Sequence, residues 1–218
     1  MTKTVALSDY TSLIKLIDYR KQAFQTKKAY WHKFVSNNIF KEFFDKSFGE
    51  EELTLSRGQL LDIDKSDFPS SVFSIILWGY PKNPRGGYFE DILEHLPILK
   101  NQISYKKVLT EEEFRFLCFT LKGKGIGLST LSKFLYFFEM QIDSYRCLIL
   151  DRWVINILQS GIYNELLPLH NIKEGNKVNM YFRYIETMDA VAKKMNVSVD
   201  QLELFLFLFG KNLKLSVD

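Results

Sequence analysis

The chain has 218 residues, 46% of them hydrophobic, 15% aromatic and 25% charged, with only 5 Pro and 11 Gly, which excludes a disordered, collagen-like or linker-rich protein. Lys and Arg total 29 against 26 Asp and Glu, a net charge of +3, so any polyanion partner requires basic residues gathered locally. Two distant Cys (Cys118, Cys147) and three scattered His exclude a disulfide framework, a four-Cys iron–sulfur cluster and an HExxH zinc site.

In chain order, the N-terminus MTKTVALSDYTSL has no signal-peptide apolar core, and no apolar run approaches a membrane span. A reducing, cytoplasmic setting without membrane is expected. Residues 10–48 place Leu13, Leu16, Ile17, Phe24, Tyr30, Trp31, Phe34 and Val35 at helical spacing. Between 15 and 46, eight Lys or Arg stand against three acids, either a polyanion-binding stretch or a solvated helix face. A helix N-cap at Ser70 or Ser71 would launch Val72 to Trp78. The run stops at Gly79-Tyr80-Pro81, and Lys82-Asn83-Pro84-Arg85-Gly86-Gly87 continues as a loop.

Residues 88–100 read as one amphipathic helix, with Phe89, Ile92, Leu93 and Leu96 on one face. Thr110-Glu111-Glu112-Glu113 is a capping-box start for a helix through Phe114, Leu117 and Leu121. That helix ends in Lys122-Gly123-Lys124-Gly125-Ile126-Gly127, and another runs from about Leu128 to Phe138. Leu150-Asp151 leads into a helix from Arg152 to Gln159. Lys177 to Met195 is periodic again, and a last helix, capped by Ser198 or Asp200, covers Gln201 to Phe209. The fold class is therefore all-α with little or no sheet and no internal repeat.

The turn at Gly123–Gly127 carries the chemistry. Glycine adopts positive φ and lets another backbone approach, and the helix that follows presents N–H groups suited to a phosphate. Lys122 and Lys124 add charge, and the hydroxyls of Ser129 and Thr130 add donors. No strand precedes the turn and no GK[ST] ends it, so it is neither a dinucleotide fingerprint nor a Walker A loop.

Gly125-Ile126-Gly127-Leu128-Ser129-Thr130-Leu131, followed by Leu150-Asp151-Arg152-Trp153-Val154, resembles the helix-hairpin-helix of the DNA glycosylase superfamily. There the pattern L-x-G-[VI]-G-x-x-[TS]-A precedes V-D-x-x-V at a helix start. With ILWGYPKNPRGG, this segment is similar to small bacterial proteins having an 8-oxoguanine-glycosylase-like fold. The resemblance implies a two-lobe helical fold over 1–218, with hairpin and catalytic segment at about 110–160. It implies that the hairpin residues Lys122, Gly123, Lys124, Gly125, Gly127, Ser129 and Thr130, with Arg85, bind DNA. It also implies that Asp151 stabilises positive charge on the sugar while a damaged or modified purine is flipped out and cleaved.

Asp151 doubles as a helix N-cap. Bifunctional relatives carry a Lys where this chain has Ser129, so the nucleophile is either water or Lys133, one turn further on the same face. Phe205 and Phe209 on the last helix are either core residues or the aromatics that stack on the base. No cofactor or metal is expected, beyond a monovalent cation at the hairpin carbonyls. DNA is the expected partner. The alternatives are a non-catalytic hairpin module serving a partner protein or a bacterial defence system, and an enzyme acting on a modified purine in RNA.

Overall fold

A computed structural model describes residues 4–35, 38–48, 51–82, 88–103 and 106–210. Arg85 lies outside them. The first described element is a 3-10 turn, Leu7–Tyr10, running into the short helix α1 (Thr11–Lys15). A second 3-10 turn, Tyr19–Lys21, is capped by Asp18.

Strand β1 (Ala23–Lys27) then pairs antiparallel with β2 (Glu52–Ser56), Ala23 opposite Ser56 and Lys27 opposite Glu52. The helical reading of residues 10–48 is therefore corrected. Ala23, Gln25 and Lys27 are exposed while Phe24 and Thr26 turn inward, a period of two, with the partner strand lying beyond two intervening helices. These are α2 (Lys28–Trp31) and α3 (Asn38–Ser47). Four of the eight basic residues are paired: Arg20 with Asp62, Lys21 with Asp18, Lys27 with Glu52 and Lys28 with Asp45. These pairs favour the solvated-face reading over a polyanion site.

Ser56 and Gln59 form a capping box for α4 (Arg57–Asp62). Asp67, not Ser70 or Ser71, caps α5 (Phe68–Gly79), with Pro69 in the first turn. Its carboxylate accepts from both the N–H and the hydroxyl of Ser70. Val72 through Trp78 are all buried, so α5 is enclosed on every side.

The single helix expected over 88–100 is two, α6 (Tyr88–Glu94) and α7 (Leu96–Ile103). Pro97 explains the break, because its ring excludes the carbonyl of residue 93 and it has no N–H to donate. The Thr110–Glu113 capping box starts α8 (Glu111–Leu121) as expected. Helix α9 (Leu128–Phe137) follows the glycine turn.

Three two-residue strands, β3 (Val108–Leu109), β4 (Gln141–Ile142) and β5 (Tyr145–Arg146), form a small sheet in the order β3-β4-β5. Helix α10 (Arg152–Ser160) ends at Gly161 in the left-handed conformation. Helix α11 (Lys177–Met195) ends at left-handed Asn196, and Ser198 and Gln201 box the start of α12 (Val199–Phe209).

Most described residues are thus helical, around two small sheets. One cluster of buried apolar side chains runs from Leu7 to Leu206. Within it α5 packs on α9, α10 on α12, and α11 on both α8 and α12. Among the described residues no helix is long and apolar enough to cross a membrane, and no cluster of three His, Cys, Asp or Glu could hold a metal.

Candidate active site

The hairpin is built as its glycines require. Gly123 and Gly125 have φ of 77° and 72°, a region that costs a residue with a Cβ roughly 1–2 kcal/mol. Gly127 is the N-cap of α9 at ordinary φ and offers no side chain to the helix's first N–H groups. Buried Ile126 and Leu128 anchor the turn in the core, while Lys122 stays exposed and Lys124 half-buried. The peptide N–H groups at the start of α9 and the two lysine ammonium groups suit a phosphate.

Thr130 and Ser129 do something else. Thr130 is buried, its hydroxyl is bonded to the Tyr80 hydroxyl at 2.5 Å, and it also lines the open cleft beside Ser129. Ser129 accepts a hydrogen bond from Lys133 Nζ on its carbonyl oxygen at 2.9 Å, with its hydroxyl 3.4 Å away. The Lys133 ammonium also lies 5.3 Å from the centre of the Tyr80 ring, a cation–π contact. Lys133 is only 6% exposed, so it is a lysine held inside the protein.

Tyr80 is fixed in turn from β1. Trp31 Nε1 donates to Thr26 Oγ1, and that hydroxyl donates to the carbonyl of Pro81. The loop after α5 is thereby pinned to the two-stranded sheet.

Asp151 is placed by the backbone that precedes it. Leu148 and Ile149 offer their carbonyls to the hydroxyls of Tyr181 and Tyr184, and the Leu150 N–H donates to Ser132 Oγ on α9. Both tyrosines are fully buried, which lifts their pKa well above the ordinary value, so they serve as neutral donors. Asp151 Oδ1 accepts from the N–H groups of Trp153 and Val154 at 2.9 and 3.0 Å, the N-cap geometry expected for it.

Two cavities meet at these residues. An open cleft of about 510 Å³ is lined by Tyr80, Gly125, Ser129, Arg152, Asn156 and Lys177. An inner chamber of about 240 Å³ is lined by Phe24, Trp78, Ile149 and Phe207 together with Gln22, Arg57 and Glu203. Gly79, Lys133, Asp151 and Trp153 line both. The lysine and the carboxylate therefore stand where cleft and chamber join.

Of the two readings for Phe205 and Phe209, core packing fits the structure. Phe205 is 0% exposed and packs on Tyr10, Tyr163 and Phe209. Phe207 lies on the other side of α12, 6.4 Å from Phe24, and bounds the chamber. Trp78 is 3% exposed, edge-on to Phe24 and Phe137, so it belongs both to the core and to the chamber wall.

Sequence reasoning did not single out Phe207, Arg57, Glu203, Trp153 or Lys177. Phe207 carries the signal that suggested its neighbours, but the face of α12 it occupies depends on what α12 packs against. Arg57 and Glu203 carry no local signal, being 146 residues apart yet bonded at 2.6 Å. Burial raises the Glu203 pKa against the opposing pull of Arg57. Arg57, despite burial, is held above its ordinary value by Glu203 and Tyr136. Ionised Glu203 is the form that leaves no buried charge unpaired.

Residues 17–207 match the family described as "Putative 8-oxoguanine DNA glycosylase OGG-like protein". A viral protein, the ribonucleoside-diphosphate reductase small chain of Vaccinia virus (strain L-IVP), is 28% identical over 121 residues, or 54% of this chain and 37% of that protein. The chain thus spans little more than a third of that relative's length. No solved structure matches the chain.

Proposed function

From the premise that this chain belongs to the OGG-like family, with all but its ends matched, we propose that it is a DNA N-glycosylase that removes a modified purine. In this reading the open cleft takes the DNA strand, the hairpin grips a backbone phosphate, and the inner chamber takes the flipped base. Drug-sized ligands usually occupy cavities of about 300–1,000 Å³, so a chamber of about 240 Å³ suits one small heterocycle. The observation that carries the proposal is that Lys133 and Asp151 line both spaces, where the sugar of a flipped nucleotide must sit.

Lys133 is the proposed nucleophile. After the ammonium gives one proton to solvent in the open cleft, Nζ gives its lone pair to C1′ while the N-glycosidic bond breaks. The bonding electrons leave with the base, which takes up a proton. A proton then passes from Nζ to the ring oxygen as the sugar opens to a Schiff base. Asp151 stabilises the positive charge that builds on the sugar. The hairpin holds register without reading sequence.

The test is a panel of duplexes, each with one modified purine, incubated with the protein and borohydride. A trapped adduct with the native chain, lost in Lys133→Gln while the melting temperature is kept, is the expected result. Base release with no trapping replaces Lys133 by activated water. Tight binding with no release from any duplex overturns the enzyme reading in favour of a DNA-binding module.

A further inference from the structure

The glycine turn walls two spaces. Gly125 lines the open cleft, whereas Gly123 and Gly127 line a second groove of about 610 Å³ between the hairpin and the start of α11. Glu174 and Lys177 line both, so the turn is a ridge between neighbouring spaces. The groove has an apolar floor, with Ile126, Leu128 and Leu131 buried beneath it. A Cβ built on Gly123 or Gly127 would meet nothing within 4 Å, so the backbone of the turn is bare on this side and another chain can come close.

Phe119 lines the groove and is 75% exposed. Phe116, three residues earlier and so on the same face of α8, is 64% exposed. They are the most exposed aromatic side chains among the described residues. Two neighbouring apolar rings left in water beside an apolar groove mark a contact surface.

The kind of partner follows from what flanks the rings. Arg115, Lys122 and Lys177 rim the groove. Arg115 pairs with Glu111 and Lys177 with Glu174, while Lys122 has no acid partner among the described residues. The surplus charge is therefore positive and sits at the hairpin. The Lys122 N–H donates to the Phe119 carbonyl, which puts Phe119 in the last turn before the amides that suit a phosphate. A strand held there by a phosphate runs past the Phe119 ring. Aromatic rings along a basic groove hold single-stranded nucleic acid, because every base has a π-face. Inside a duplex both faces of a base are covered by its neighbours, so only an unpaired base can use such a ring.

We propose that this groove takes an unpaired continuation of the strand held by the hairpin, with one base stacked on Phe119. The preferred substrate is then DNA that is single-stranded beside the modified nucleotide. This inference rests on the hairpin being the phosphate grip of the proposed glycosylase, and it names the form of DNA that enzyme acts on.

The experiment measures binding to DNA carrying one tetrahydrofuran abasic analogue, which cannot be cleaved at a base. One form is fully paired. In two others the opposite strand is shortened, leaving the nucleotides on the 5′ or on the 3′ side of the analogue unpaired. The expected result is at least tenfold tighter binding of one shortened form than of the paired form. That ratio should fall below threefold in Phe119→Ala and be kept in Phe119→Trp, both at a position exposed enough to leave the melting temperature unchanged.

Equal binding of all three forms by the native chain overturns the inference, as does a preference that survives in Phe119→Ala. A dimer in sedimentation that Phe119→Ala dissolves would give the groove to a second copy of the chain and overturn it too. The two readings fail separately. A preference for the shortened form without base release from any modified purine sinks the glycosylase and keeps the groove. Base release as fast from paired as from shortened DNA, with equal binding, does the reverse.

Discussion

A Cβ placed on Gly79 would lie 2.8 Å from Cδ and 3.1 Å from Cε of Lys133. Gly79 ends α5, and the missing side chain is what lets the lysine stem pass between helix and cleft. Ala is the better helix former by about 1 kcal/mol, so Gly79→Ala should leave the melting temperature nearly unchanged. It should lower borohydride trapping at least tenfold, with DNA affinity within twofold of native. Undiminished trapping would mean that the stem has another route.

Asp151 has two separable roles. Asn caps a helix about as well as Asp but carries no charge. Asp151→Asn should therefore keep the melting temperature within a few degrees and lower single-turnover base release at least 100-fold. Asp151→Ala should lose release and, in addition, about 0.5–2 kcal/mol of stability in urea unfolding. Equal loss of stability in both variants would show that the charge serves the fold.

The hairpin can be checked by salt. Removing one phosphate-binding charge makes the slope of log affinity against log salt shallower by about 0.9. Replacing Lys122 and Lys124 together with Ala should therefore reduce the slope by about 2, with little change in base preference. A slope equal to that of the native chain would place the phosphates elsewhere.

Burial lifts both thiols to about 12, opposed at Cys118 by Arg115 and at Cys147 by the Tyr181 hydroxyl and Arg146. Their folded pKa is above the unfolded one, so the folded state binds more protons between the two values. The stability they contribute is complete below the ordinary thiol value and is lost as pH rises toward 12. The melting temperature should fall progressively above pH 9. Iodoacetamide at pH 8 should label buried Cys147 far more slowly than in urea and half-buried Cys118 less slowly, and a fast-reacting Cys147 in the native protein would contradict its burial.

Much of the helical frame is local. The Thr110–Glu113 and Ser198–Gln201 capping boxes, the Asp151 cap and the periodicity of Lys177–Met195 depend on residues within one or two turns of each other. So do the hairpin glycines, because positive φ is a property of the residue itself. Asp151 and Lys133 could be named before any packing was known because the family resemblance that implies them runs over one contiguous stretch.

The residues that surround them could not. Strand β1 finds its partner 25 or more residues away, and a period of two inside a basic segment competes with a helical one. Which side of α12 faces the chamber depends on Tyr10 and Tyr163 filling the other side. That packing replaces Phe205 by Phe207. The bond between Arg57 and Glu203 joins positions 146 residues apart. Local interactions thus determined the helices and the glycine turn, and a contiguous motif named the catalytic candidates, while only long-range packing and burial decided what walls the chamber.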